Sequence, residues 1–311
     1  MILVCGDALF DVFIGEDRGR SLSLDAHIGG SPYNVAIGLA RQEAACAFLS
    51  GLSKDALGRK LSACLSAEGV NTSHIAWKDA ACSLSIVGLG DDGSAEYVFY
   101  GEGAADRSLE VSDLPANMDQ FTAIHVGSYA MVVEPTGSTL LSTLQQEKGK
   151  RLISFDPNIR TNVEPDLDVW RNRVNQTLPC TDLVKVSDED LQLLYPDSSA
   201  EDVARKWLDL GPDIVVLSQG AQGATAYTAK LEVHSPGINV EVADTVGAGD
   251  TMQSVLLQQL NRFKVSEENA LGTLDEHTLS LLLKRAVAAA ALTCTRRGAD
   301  LPTLDQIDAF V

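Results

Sequence analysis

The residues best equipped for chemistry are Asp244-Thr245-Val246-Gly247-Ala248-Gly249-Asp250, which run directly into a helix-like stretch from Thr251 to Phe263. Glycines on both sides of Ala248 allow a tight turn that gathers several backbone N–H groups at one point. The helix behind them adds its own unpaired N–H groups and the positive end of its dipole. A pocket of this kind suits an anion, above all a phosphoryl group whose charge grows during transfer. Asp250, in the first helical turn, is an acceptor able to take the proton of an attacking hydroxyl. A lone Gly-x-Gly-Asp before a helix is usually a turn and a cap and no more. Seven residues in this order are far more specific, and they predict a phosphoryl-transfer centre.

A second group lies near the N-terminus. Residues 1–6 read as a short buried strand, followed by Asp7 and Asp11 among apolar neighbours. Their even spacing puts both carboxylates on one face of an extended chain, although solvated strand-edge aspartates would look the same. His27-Ile28-Gly29-Gly30-Ser31-Pro32-Tyr33-Asn34 then opens a helix through Arg41, with proline near the first helical position. Paired glycines also let a ligand approach the backbone, and Asn34 presents both a donor and an acceptor.

Both stretches resemble the signatures of the ribokinase-like sugar kinases, also called the phosphofructokinase B family, and stand in that family's order. The resemblance implies an α/β fold, a ribokinase-like three-layer sandwich with a mostly parallel central sheet covered by helices. It adds a small β-sheet lid over the sugar. Asp250 would be the catalytic base, and the backbone of Gly247, Ala248 and Gly249 the anion hole. ATP would be the donor, with Mg²⁺ at its phosphates and K⁺ a further candidate ion. Asp11, Gly29, Gly30 and Asn34 would meet the sugar, with Tyr100 beside them on the lid.

Other candidates follow along the chain. Asp156-Pro157-Asn158-Ile159-Arg160 resembles a segment of fructokinases and ketodeoxygluconate kinases. A lone arginine there is more often a surface ion pair, but the resemblance makes Arg160 a donor near the transferring phosphate or sugar, its planar fork suited to paired oxygens. Lys185, Ser187, Ser218, Gly220, Gly223 and Gly249 would lie along ATP, with Val287 or Ala290 walling the adenine. Where the family carries Asn-x-x-Glu, this chain has Ser187 and Asp190. Shorter groups imply action on the metal through water rather than direct ligation.

These residues need a frame to hold them. From Ala123 onward the pattern alternates strand and helix: Ala123–Val126, Thr136–Glu147, Leu152–Phe155, Asp166–Thr177. Such alternation predicts a parallel sheet covered on both faces, with ligands at the carboxyl ends of the strands. Asp55 caps a helix to Glu68, Ser187 caps another, and Ile214–Ser218 passes through a glycine-bearing turn to Ala224–Tyr227. Thr278–Thr295 is a long Ala-rich helix. Ser83–Leu89 and Glu96–Tyr100, separated by Gly90-Asp91-Asp92-Gly93, read as a hairpin inserted in this alternation. The chain is therefore read as one domain, 1–311, with lid segments at about 8–16 and 83–103; the resemblance implies a homodimer through the lid sheet.

Composition narrows the partners. The 311 residues are 45% hydrophobic and 22% charged, with a net charge of -19. That charge argues against nucleic acid or an anionic membrane as partner. It does not exclude a nucleotide carried with Mg²⁺. The longest apolar run, Ala286–Leu292, is too short to span a bilayer, and the start at Met1 shows no basic leader or signal-peptide core. Six cysteines without a close pair fit reduced thiols, so a cytoplasmic enzyme is expected. A dinucleotide-binding oxidoreductase would need a glycine-rich turn after the first strand, where this chain has Asp7-Ala8-Leu9-Phe10. A catalytically inactive sugar sensor would be expected to lose the base or the anion-hole glycines, and all are present. Three runs, ending at Arg160, Asp106 and Glu189, resemble bacterial fructokinases, which implies fructose phosphorylated at a primary hydroxyl. Ketodeoxygluconate, ribose and a nucleoside stand as alternatives.

Overall fold

The structure, a computed structural model, describes residues 1–89, 95–266, 271 and 274–311. The turn expected at Gly90-Asp91-Asp92-Gly93 lies outside the described residues.

The chain opens with β1 (Ile2–Cys5), β2 (Leu9–Asp17) and β3 (Leu22–Gly29), then helix α1 (Ser31–Arg41). Next come β4 (Cys46–Leu49), β5 (Gly51–Ser53), α2 (Ala56–Ala67) and β6 (Ala76–Lys78), and the hairpin strands β7 (Ser83–Leu89) and β8 (Ala95–Tyr100). The alternating part holds β9 (Ala123–Gly127), α3 (Thr136–Glu147), β10 (Leu152–Asp156), α4 (Leu167–Thr177), β11 (Leu183–Ser187), α5 (Asp188–Leu194) and α6 (Ala200–Leu208). It closes with β12 (Ile214–Ser218), β13 (Gly223–Tyr227), β14 (Glu232–Pro236), α7 (Ala248–Ser266), α8 (Glu276–Cys294) and α9 (Leu304–Phe310). Expected caps are in place: Gly58 N–H donates to Asp55 Oδ1 at 2.9 Å and Asp190 N–H to Ser187 Oγ at 3.0 Å.

Eight strands form the central sheet in the order β14-β13-β12-β11-β10-β9-β1-β4. All neighbours from β12 to β4 are parallel, and β12-β13-β14 is an antiparallel edge. The pleat divides each apolar strand between two cores. On β1, Ile2 and Val4 join one core and Leu3 and Cys5 the other, all at most 1% exposed. The first core takes residues of α1, α2, α7, α8 and α9, such as Leu39, Leu65, Val255, Leu283 and Ile307. The second takes residues of α3 to α6, such as Leu144, Trp170, Leu191 and Trp207. Helices, sheet, helices: these are the expected three layers.

A separate four-stranded sheet has the order β3-β2-β7-β8. Its β2 and β7 are parallel while the outer pairs are antiparallel. β3 was absent from the sequence reading, although Leu22, Leu24, Ala26 and Ile28 alternate with polar residues in the period of a strand; most of it is exposed on both faces. One face of the sheet carries Leu9, Asp11 and Phe13 toward a cleft in the main body. The other carries Ile14, Leu24, Val98 and Tyr100, which are 44–61% exposed.

Candidate active site

A cleft of about 1800 Å³ crosses the carboxyl ends of β1, β9, β10, β11 and β12, between the small sheet and α8. Every site residue expected from the sequence lines it except Tyr100. Tyr100 pairs with Leu84 and is 61% exposed on the outer face. Pleating sends the preceding residue, Phe99, into the cleft instead. Asp7 also departs from expectation: it lies in the turn before β2 rather than on a strand with Asp11, yet both line the cleft.

Two helix starts converge at Asp250. α1 begins after Gly30 and α7 at Ala248, and the two helices pack closely where a Cβ on Gly38 would meet Ser254 Oγ at 2.6 Å. This brings the first turns together. Ser31 Oγ donates to Asp250 Oδ1 at 2.6 Å and Asn34 Nδ2 donates to Asp250 Oδ2 at 2.8 Å. Both carboxylate oxygens are thus held, and Asp250 is 8% exposed. Asn34, expected at the sugar, spends its amide on Asp250. Ser31 was missed by the sequence reading; its place in the first turn of α1 is the signal that could have found it.

The turn before α7 is built for close approach. Gly247 has φ +81°, where an added Cβ would lie 2.9 Å from Ala299 Cα. Asp244 closes the loop by accepting from Gly298 N–H at 2.9 Å and Val246 N–H at 3.1 Å. Those backbone donors, Gly298 first, hold its carboxyl below the usual range. Ala248 N–H turns back to the Thr245 carbonyl at 3.2 Å, and Thr251 N–H makes the first helical bond, to Gly247. Helix geometry then leaves Gly249 and Asp250 N–H without an intrahelical acceptor. Of the three residues expected to form the anion hole, Ala248 thus has its N–H engaged within the turn, while Gly249 N–H stays free of the helix ladder and is joined by that of Asp250.

Under the small sheet lie Asp7, Asp11 and Arg160. An added Cβ on Gly29 would meet Asp11 Oδ2 at 2.5 Å, and one on Gly30 (φ +114°) the Asp7 carbonyl at 2.6 Å. Glycine is therefore a steric requirement at 30, where backbone blocks a Cβ, while at 29 a Cβ would displace the Asp11 carboxylate. Burial raises the Asp11 carboxyl, against Ser85, Arg160 and His27, which lower it. Asp7 is 1% exposed and its Oδ1 has no partner. Burial, with Asp106 adding to it, pushes Asp7 up to about 7, although Arg160 and Ser128 oppose the shift.

At the far side of Asp250, Lys185 Nζ pairs with Asp156 Oδ2 at 2.7 Å. Ile159 N–H donates to Asp190 Oδ1 at 3.0 Å, which pins the Asn158 turn (φ +42°) and with it the start of Arg160. Asp190 thus has a structural use that the sequence did not suggest. Ser218, Gly220 and Gly223 border the β12–β13 turn, and Val287 and Ala290 present the small-residue face of α8. Among the described residues no group of three or more acidic, His or Cys side chains could hold a metal by itself. That donor set fits a Mg²⁺ held chiefly by substrate phosphates and water, with Asp190 nearby, and does not fit an all-protein cage.

A mostly parallel sheet with two helix N-termini facing one aspartate, roofed in part by a second sheet, defines a ribokinase-like carbohydrate kinase, a phosphotransferase with an alcohol acceptor. The model of the pfkB family carbohydrate kinases matches residues 1–306, and the chain belongs to that family. It is 35% identical over 279 residues to a fructokinase of Rhizobium leguminosarum bv. trifolii, covering 90% of this chain and 85% of the relative. The fructokinase of Xylella fastidiosa with bound ATP superposes with a TM-score of 0.89 at 25% identity, over 99% of this chain and 97% of that one. A fructokinase of Vibrio cholerae O395 holding fructose, ADP and calcium gives 0.84 at 28% identity, over 99% and 98%.

Proposed function

We propose that this protein is an ATP-dependent fructokinase that transfers the γ-phosphoryl group to a primary hydroxyl of the sugar. The observation that carries the mechanism is Asp250, held through both oxygens by Ser31 and Asn34 at the meeting point of the two helix starts. In that position it takes the proton of the attacking hydroxyl while the Gly249 and Asp250 N–H groups face the charge developing on the phosphoryl oxygens. Asp11, Gly29, Gly30 and Arg160 bind the sugar, and Phe99 replaces Tyr100 as its lid contact. Ser187, Ser218, Gly220 and Gly223 follow the phosphates and ribose, with Val287 and Ala290 against the adenine. Asp190 acts on Mg²⁺ through water. When bound, the ion neutralises phosphate charge.

Fructose is favoured by the names of the relatives above. The small sheet is read as a mobile lid on one domain, and its exposed apolar face as a homodimer surface. A coupled ADP-release assay with fructose and ATP tests the scheme. Turnover is expected in the parent and should vanish on chelation and return with Mg²⁺. Asp250→Asn should keep ATP and sugar binding by calorimetry but lose about 10²- to 10⁴-fold in kcat. Near-parental turnover in that variant would remove the base from the mechanism.

A further inference from the structure

Behind the Gly249 turn stands an ion pair whose position is informative. Lys185 and Asp156 have side chains only 6% and 0% exposed. Lys185 lines the cleft, and its Nζ is 3.0 Å from where a Cβ on Gly249 would be. Glycine at 249 therefore does more than turn the chain: it keeps the space between the ammonium and the anion-binding N–H groups open. A cation so placed, with its side chain almost wholly buried, acts more strongly than an exposed one on charge that develops beside it.

The register of the sheet explains how the pair forms. β10 and β11 are parallel neighbours with Ser154 opposite Leu183, so Asp156 and Lys185 project from the same face two residues on. Three carboxylates bear on the ammonium: Asp156 from β10, Asp190 from α5 and Asp250 from α7. Burial lowers the lysine pKa, and these three together outweigh it and raise it. Among the described residues only Asp156 comes within ion-pair distance. From β9, His125 adds no charge. Ser154 Oγ accepts from Gln253 Nε2 at 2.6 Å and lies within hydrogen-bond distance of His125 Nδ1, at 3.2 Å. Burial, with Lys185 adding to it, lowers His125 to about 3, which keeps the ring neutral. Asp156 has no second partner for its buried Oδ1, so its charge is directed at Lys185.

We propose that Asp156 is a positioning residue for phosphoryl transfer: its carboxylate holds the Lys185 ammonium charged and aimed at the Gly249 turn. The proposal rests on the reading of that turn as the phosphoryl site. It supplies a fixed cation in a chain that lacks the phosphate-loop lysine of other nucleotide enzymes.

Three full-length variants, assayed with MgATP and fructose across pH, separate the ideas. Lys185→Met should lower kcat by about 10²-fold. Asp156→Asn should lower kcat by about tenfold or more and move the alkaline limb of the kcat profile to lower pH by about one unit, because a neutral amide no longer favours the charged lysine. The double variant, which leaves no unpaired buried charge, should turn over no more slowly than Lys185→Met alone. Parental kcat in Lys185→Met would overturn the proposal, while the phosphoryl-site reading falls only if Asp250→Asn also turns over at the parental rate. A slow Lys185→Met beside an Asp156→Asn with parental kcat and alkaline limb would overturn the positioning role alone. Should Asp156→Asn fail to fold, the double variant decides, and a kcat clearly below that of Lys185→Met would overturn the proposal.

Discussion

At the scale of single residues, the motif positions were legible because their chemistry is local. Asp250 announces itself by two glycines and a helix start, and Gly29-Gly30 by the turn they permit. What stayed hidden are partners set by register and packing. Nothing in the sequence pairs Ser31 with Asp250 or Asp156 with Lys185; the α1–α7 crossing and the β10–β11 register do. Asp7 is a further case, since its burial comes from the fold around it. With a carboxyl pushed up to about 7, the folded protein binds a proton at Asp7 that the unfolded chain, ordinary at about 3.9, has lost. The stability this contributes is full below about pH 4 and is lost as pH rises through about 7. Asp7→Asn cannot ionise. Its Tm relative to the parent should therefore rise between about pH 4 and pH 8. A difference that stays flat over this range, followed by circular dichroism, would contradict the burial argument.

Elements were read well where periodicity was strong. The elements expected between Ala123 and Thr177, and the strands from Ile214 to Tyr227, fall within a residue of expectation, because buried parallel strands are continuous apolar runs; α6 (Ala200–Leu208) was not among them. β3 was passed over because it is polar on one face and largely exposed, and Tyr100 was assigned to the wrong face because pairing register is invisible in a single strand. Helix starts carry most of the site, so the glycine before α7 should be intolerant. Gly247→Ala would place a Cβ 2.9 Å from Ala299 Cα at a φ of +81°. A cost of about 1–3 kcal/mol in stability is expected from the strain. The kcat loss should exceed any change in KM for the sugar, as the N–H groups of the turn are displaced. Chemical denaturation and steady-state kinetics on the same preparation check both, and a variant with parental stability and kcat would show that the loop relaxes freely.

For the whole molecule, the two faces of the small sheet carry separate expectations. One faces the cleft through Asp11 and Phe99, and the other exposes Ile14, Leu24, Val98 and Tyr100. Hydrogen exchange with and without fructose reads both. Protection that appears in β7 and β8 only with sugar supports a closing lid, and protection of β3 that grows with protein concentration supports a homodimer. No change in either would leave the sheet a rigid, monomeric wall. Substrate choice also belongs to this scale, since it depends on how the small sheet meets the body and not on any one motif. The family was readable from the chain alone; the sugar was not, because the residues that shape its pocket are brought together only by the fold. The decisive measurement is kcat/KM for fructose against ketodeoxygluconate, ribose and a riboside at fixed MgATP. Fructose should lead each rival by at least about tenfold, or about 1.4 kcal/mol in transition-state binding. If any rival leads fructose by that margin, the assignment of fructose is contradicted.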